Sequence, residues 1–254
     1  LAMAVALLVF WLGRGRYQHV PPARLAPPPT EAQLASRAGE GRVILRIAAV
    51  FVPVIAFWAL FFQYGSSWTL QADRMDRHLF GFEIAAGQVQ TLDAAFVLTL
   101  IPLFATVIYP AVERMGVRVT ALRKMTIGMF IMTLSFVAAA AVQARLDAGV
   151  VPHVAWQIPQ YLFLAVGEVL VSVTALEFAY SQAPARWKSV IMGLWYLTIA
   201  SGSLLTAAVA ALNRFQGVAY YNFFAALMLG AAVLFAVVAR WYRPVESART
   251  VAAA

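Results

Sequence analysis

The chain contains 254 residues, of which 63% are hydrophobic and only 12% are charged. Soluble domains carry about 45–50% apolar and about 25% charged residues, so this composition is typical of a membrane protein and argues against a soluble enzyme. The chain has no cysteine, which excludes disulfides and cysteine-ligated metals. Its net charge is +8, and the position of the charges decides whether a nucleic acid or a membrane explains it.

The first 43 residues contain no segment that spans a bilayer. Residues 1–12 are apolar but too short, and no basic residue precedes them as in a signal peptide. We interpret them as the end of a helix that begins before this chain. Residues 13–43 contain PPARLAPPP, which predicts an extended cytoplasmic linker. The chain is therefore expected to be the C-terminal part of a longer protein.

Six nearly uncharged stretches follow, each long enough to cross the hydrocarbon core. They predict a six-helix transmembrane bundle over 44–243 and a cytoplasmic tail over 244–254. Their length and lack of alternation exclude the strands of a β-barrel. The predicted spans are 44–64, 88–111, 122–144, 157–180, 189–211 and 218–241.

The basic residues predict the orientation of the bundle. Of the 19 lysines and arginines, four fall on one side (Arg74, Arg77, Arg145 and Arg214) and the other 15 fall on the opposite side. The positive-inside rule places the richer side, with the C-terminus, in the cytoplasm. The lipid bilayer therefore accounts for the net charge and no nucleic-acid partner is expected. We expect a multi-pass protein of a bacterial inner or plasma membrane.

Glu168 is the most informative polar residue, because it lies in the middle of the fourth span. A charge at the bilayer centre costs about 2.5–3.5 kcal/mol on insertion scales. Glu168 is therefore interpreted as a proton or substrate-amine site, or else as the partner of a charge outside this chain. Ser172 lies four residues on and shares its helix face, whereas Glu177, nine residues on, is expected on the opposite side.

Other residues in the spans leave two interpretations open. Asp93 is either a functional acid or an acid favoured by the helix dipole, and Arg46 either snorkels to the cytoplasmic interface or has a functional role. Trp58 and Trp195 lie deep in their spans and either pack or line a cavity. The three histidines lie in predicted loops without metal-ligand spacing, and no nucleophile motif is present.

Four stretches resemble the proton-dependent oligopeptide transporter family. GEVLVSVTALEFAYSQAP (167–184) closely resembles the tenth-helix motif of that family. FWALFFQYGSSWTLQA (57–72) resembles its seventh helix, which reads FWALFDQQGSRWTLQA in animal members. QVQTLDAAFVLTLIPLFATVIYP (88–110) resembles the eighth helix, and RYQHVPP (16–22) resembles the end of the sixth.

The resemblance implies an all-α membrane protein, the six-helix C-terminal half of a major facilitator fold plus the end of a preceding helix. It implies a symporter of di- and tripeptides that works by alternating access and is driven by the proton gradient. The implied partners are these peptides, protons, the lipid bilayer and an N-terminal six-helix half missing from this chain. Neither an enzymatic activity nor a cofactor or metal is implied.

The resemblance also assigns roles to residues of this chain. Glu168 would hold the amino terminus of the peptide, Ser172 lies one turn below it, and Asp93 occupies a position that is usually an asparagine touching the peptide backbone. Trp58 and Trp195 match aromatic positions near the cavity. Arg46 matches a basic residue that pairs with an eighth-helix acid in animal members. Proton coupling is assigned to Glu168, Asp93 and Arg46.

Two acids of the family pattern are missing. Phe62 stands where an acid often follows FWALF, and Ala105 replaces the acid that would pair with Arg46. Asp93 adds a carboxylate, which leads to the hypothesis that it takes over part of the proton-linked role. The alternatives are a different cargo such as nitrate, or a truncated remnant that does not transport. A membrane-embedded enzyme would need a nucleophile–base pair or metal cluster, for which the sequence shows no motif.

Overall fold

The six predicted spans are confirmed by the computed structural model, which describes residues 2–13, 15, 40–79, 81–184 and 187–242. Each helical segment includes the whole of its predicted span, and all but the last extend beyond it. Most of the predicted linker and the whole predicted tail lie outside the described residues. Ala2–Gly13 forms a helix of its own. Spans 1 to 6 are Glu40–Asp73, Ala86–Arg114, Ala121–Asp147, Val154–Gln182, Lys188–Leu212 and Val218–Trp241.

Span 1 is divided into short helices. Pro53 has no backbone N–H to donate, and the first helix ends just before it. After the helix Val54–Phe61 the chain forms a 3₁₀ turn, in which the side-chain amide of Gln63 donates to the carbonyl of Ala59 (2.8 Å). The pieces are the helices Glu40–Phe51, Val54–Phe61 and Ser67–Asp73 and the 3₁₀ turn Phe62–Gly65.

Spans 2 and 4 each contain a π-helical turn. In span 2 this turn follows Pro102, whose carbonyl accepts a hydrogen bond from the Thr106 hydroxyl (2.8 Å). In span 4 it follows Glu168 directly. Span 2 consists of Ala86–Gln88 (3₁₀), Thr91–Leu103 (α), Phe104–Ile108 (π) and Tyr109–Arg114 (α). Span 4 consists of Val154–Gln157 (3₁₀), Ile158–Glu168 (α), Val169–Val173 (π) and Thr174–Gln182 (α).

Spans 3, 5 and 6 are single helices, and spans 1 and 2 are joined through a small hairpin. The helices are Ala121–Asp147, Lys188–Leu212 and Val218–Trp241. The hairpin pairs His78–Leu79 antiparallel with Phe82–Glu83. A backbone bridge between Asp76 and His153 connects this hairpin region to the start of span 4.

Glycines allow the spans to approach closely, as small residues do in membrane helices. A Cβ atom on Gly202 of span 5 would lie 2.6 Å from the Cβ atom of Trp58 and 2.7 Å from the backbone nitrogen of Ala59. The Thr206 hydroxyl, one turn further on, donates to the carbonyl of Ala59 (2.6 Å). Gly128 of span 3 packs as closely against span 4. Trp58 is therefore positioned by direct contact between spans 1 and 5.

A buried amide cluster, which the sequence analysis missed, ties spans 1, 3 and 4 together. The amide of Gln71 donates to the carbonyl of Ala139 (3.0 Å) and to the side-chain oxygen of Gln143 (3.1 Å). Its own oxygen accepts hydrogen bonds from Gln157 (3.2 Å) and Gln160 (3.4 Å). Hydrogen bonds between polar side chains join membrane helices where no hydrophobic force between them is available.

Candidate functional site

The two acids named by the sequence share one region of the interior. Glu168 is the last residue of Ile158–Glu168, the first α-helical part of span 4, and is half-buried. Asp93 lies in the first turn of the helix Thr91–Leu103 and is only 8% exposed. The helices that contain them, Thr91–Leu103 and Ile158–Glu168, pack against each other. Neither acid forms a salt bridge with any residue in the described ranges.

Three predicted site residues carry buried polar atoms that lack a hydrogen-bond partner among the described residues. These atoms are Oε2 of Glu168, Oδ1 of Asp93 and Nε1 of Trp58. Leaving a buried donor or acceptor unpaired costs about 1–3 kcal/mol, so native structures seldom keep such groups without a reason. Two acceptors and one donor are therefore available to a bound molecule.

A row of aromatic rings extends from the predicted tryptophans to Tyr64. Trp195 lies 5.5 Å from Trp58, Trp58 lies 5.4 Å from Phe61, and Phe61 lies 5.3 Å from Tyr64, all as ring-centroid distances. Trp58 and Trp195 thus belong to one continuous set of aromatic side chains.

Two tyrosines belong to this region although the sequence analysis did not identify them. The Tyr161 hydroxyl donates a long hydrogen bond to the carbonyl of Tyr64 (3.4 Å), and Tyr161 interacts electrostatically with Asp93. Their position inside spans 1 and 4 was visible in the sequence. Sequence spacing along single helices does not show which residues of different spans meet, so they were overlooked.

Phe62 occupies the position at which the resemblance expects an acid. Its ring stacks on Trp58 at 5.5 Å, and 42% of its surface is exposed. An aromatic contact therefore takes the place of a charge beside the predicted site. Ala105, the other replaced acid, lies exposed in the π-helical turn of span 2.

Ser172 and Trp195 line a cavity of about 560 Å³, together with Glu177 and Tyr180. Ser172 lies inside the π-helical turn that separates Glu168 from Glu177. Counting 3.6 residues per turn, which places Glu177 opposite Glu168, does not hold across such a turn. Glu177 is exposed, as its position near the end of the span predicts.

Arg46 lies at the other end of the bundle from Asp93. It is exposed near the start of span 1, whereas Asp93 lies near the start of span 2, which runs in the opposite direction. Its charge acts on Tyr242 just after span 6: burial raises the pKa of the Tyr242 hydroxyl and the Arg46 charge opposes that increase. The structure therefore brings Asp93 and Glu168 together, but not Arg46 with them. No group of three or more His, Asp or Glu side chains in the described ranges could hold a metal ion.

Comparison with known proteins identifies a family for this arrangement. The sequence profile of the POT family matches residues 32–223. Solute carrier family 15 member 1 from Mus musculus is 35% identical over 175 residues, which cover 57% of this chain and 25% of the relative. Solute carrier family 15 member 2 from Homo sapiens is 41% identical over 138 residues, which cover 54% of this chain and 19% of the relative. The chain therefore spans about a quarter or less of these relatives.

Solved structures match nearly the whole chain. An auto-inhibited POT family peptide transporter superposes with a TM-score of 0.77 at 32% identity, covering 97% of this chain and 64% of that one. The POT family transporter PepTSo superposes with a TM-score of 0.76 at 32% identity, covering 94% of this chain and 63% of that one. The family profile extends over more than half of the sequence and the fold agrees with it. The chain belongs to the POT family, a family of membrane transporters.

Proposed function

We propose that the full-length protein containing this chain is a proton-coupled symporter of di- and tripeptides that works by alternating access. Membership of the POT family and the similarity to a peptide transporter support this proposal. The chain contributes the six-helix C-terminal half, and an N-terminal half completes the transport pathway. The C-terminus faces the cytoplasm, as the positive-inside rule predicts.

The single observation that carries the proposal is the set of unpaired polar atoms on Glu168, Asp93 and Trp58. A peptide offers an ammonium group and backbone N–H groups, which are donors for the two carboxyl oxygens. Its carbonyl and carboxylate oxygens are acceptors for the indole N–H. In this proposal Glu168 binds the ammonium group, because a charge-assisted hydrogen bond offsets the cost of a buried carboxylate. Ser172 and Trp195 line the adjoining cavity.

Two acids also account for the coupling to protons. If one carboxylate served both ligands, an ammonium group and a proton would compete for it, and the protein would exchange them. With two carboxylates, a proton on Asp93 and an ammonium group at Glu168 can be present together, which is the requirement of symport. When the proton and the peptide are both bound, they stabilise either the outward-open or the inward-open arrangement of the two halves. They can do so only if they bind more tightly to that arrangement than to the other.

The test uses the full-length protein in liposomes with an inward proton gradient and a radiolabelled dipeptide. Glu168→Gln is expected to reduce uptake by at least about tenfold, since loss of a hydrogen bond between charged groups costs about 1.5–3 kcal/mol. Glu113→Gln is the matched control, because Glu113 is an exposed glutamate at the far end of span 2. Normal dipeptide accumulation by Glu168→Gln would contradict the proposal.

A further inference from the structure

A second cavity lies at the end of the bundle where the basic residues collect, between spans 3, 4 and 6. Its volume is about 990 Å³, and none of the residues that line it is acidic. Two arginines line it, Arg123 at the start of span 3 and Arg240 at the end of span 6. It contains none of the residues assigned to peptide or proton, so it is separate from the transport site.

Neither guanidinium group has an acidic partner in the part of the chain that the structure describes. Arg123 donates to the carbonyl of Arg118 (3.0 Å) and forms no salt bridge within the described ranges. Arg240 has neither a hydrogen bond nor a salt bridge to the described part of the chain. Among the described residues that line the cavity, two are positively charged and none is negatively charged.

The wall of the same cavity is apolar further into the membrane. Ile127 and Phe130 of span 3 line it and are 55% and 39% exposed. Leu134 and Val137 continue the same helix face beyond the cavity, at 45% and 50% exposure. On span 6 the small side chain of Ala236 leaves the groove open. The cavity thus has a positively charged end at the membrane surface, and an apolar groove continues from that end into the membrane.

We propose that this cavity binds one acidic phospholipid, with its phosphate between Arg123 and Arg240 and an acyl chain along Ile127 and Phe130. Guanidinium groups match phosphate oxygens in geometry and charge. Basic pockets between transmembrane helices on the cytoplasmic side bind acidic headgroups elsewhere. A soluble anion would use the arginines alone, whereas a phospholipid uses the arginines and the groove.

The test measures binding of phosphatidylglycerol and phosphatidylcholine to the purified full-length protein in detergent, by native mass spectrometry. Phosphatidylglycerol is expected to bind more tightly than phosphatidylcholine. Each basic residue near an acidic lipid contributes about 1 kcal/mol, so Arg123→Gln should weaken phosphatidylglycerol binding about fivefold and Arg123→Gln with Arg240→Gln about 25-fold. Arg214→Gln, at the opposite end of the bundle, is the control and should change nothing.

A second variant separates a phospholipid from a soluble anion. Ala236→Phe fills the groove and leaves both arginines in place, so it should weaken phosphatidylglycerol binding. Unchanged melting temperatures of the variants would show that they remain folded. Equal binding of the two lipids, or no effect of the double arginine variant, would overturn the proposal. Displacement of phosphatidylglycerol by millimolar inorganic phosphate would instead identify a soluble-anion site and would also overturn it.

Discussion

At the scale of single residues, the acid pair is the most consequential feature. The sequence identified Glu168 because a charge in the middle of a span stands out against apolar neighbours. It left Asp93 open between a functional acid and a helix-terminal acid. The structure shows that Asp93 lies in a first helical turn and is also buried in the helix that packs against the helix of Glu168. Both interpretations therefore describe its position, and only a measurement of proton coupling separates them.

Asp93→Asn tests the proton-linked role directly. The amide has nearly the shape of the carboxyl group but does not take up a proton in this pH range, so we expect peptide binding to persist and the pH dependence of uptake to flatten. The measurement is dipeptide uptake by proteoliposomes between external pH 5.5 and 8, alongside exchange of dipeptide without a gradient. If uptake by the variant followed pH as before, Asp93 would have no part in coupling.

Asp76, outside the spans, predicts a different pH dependence. Hydrogen bonds from the ring and the backbone N–H of His78 hold the pKa of the Asp76 carboxyl below its ordinary value. Because the pKa of Asp76 is lower in the folded protein, this contact stabilises the fold fully at pH values above the ordinary pKa of about 4. The stabilisation is lost as the pH falls through the pKa of the folded protein. The hydrogen-exchange rate of the His78 backbone N–H, corrected for the intrinsic rate, should therefore be constant from pH 7 to about pH 4 and increase below pH 4.

The control for this prediction is Asp76→Asn, which removes the titrating group and should remove the rise at low pH. An increase in exchange already near pH 6 would contradict the assignment to Asp76.

At the scale of elements, the positions of the spans could be predicted and their internal breaks only in part. Charge-free length indicates a membrane helix because each charge in the hydrocarbon core is costly. Breaks lie at or near Pro53 and Pro102, since a proline inside a helix removes a backbone hydrogen bond. The π-helical turn after Glu168 has no proline and no other local signal. The amide cluster around Gln71 was missed because it depends on which spans become neighbours.

Gly202→Ala tests the contact between spans 1 and 5. The added methyl group would lie 2.6 Å from the Cβ atom of Trp58 and 2.7 Å from the backbone of Ala59, so the helices must separate. We expect a loss of about 1–3 kcal/mol, as for an overpacked core, measured as a lower melting temperature in detergent. Gly193→Ala is the matched control on the same helix, because no atom lies within 4 Å of its added methyl group. Equal melting temperatures of the two variants would contradict this packing.

At the scale of the whole molecule, the six confirmed spans and the distribution of basic residues together predict the membrane topology. Arg74, Arg145 and Arg214 lie at one end of the bundle, and the segments richer in basic residues lie at the other. A green fluorescent protein fused to the C-terminus should therefore fluoresce, and alkaline phosphatase inserted after Gly149 should be active. An active phosphatase at the C-terminus would reverse the orientation and place the proposed lipid site in the outer leaflet.

The π-helical turn Val169–Val173 also affects how this protein can be altered and aligned. Such a turn holds one surplus residue within an otherwise ordinary helix. Deleting one residue there would restore an ordinary α-helix and leave the residues beyond it at nearly the same rotation about the helix axis, because the π turn holds its extra residue within a single turn. Glu168 and Glu177 would keep their directions but would lie eight residues apart in the sequence instead of nine. An alignment with a helix that lacks the surplus residue therefore needs a gap of one residue between the two acids.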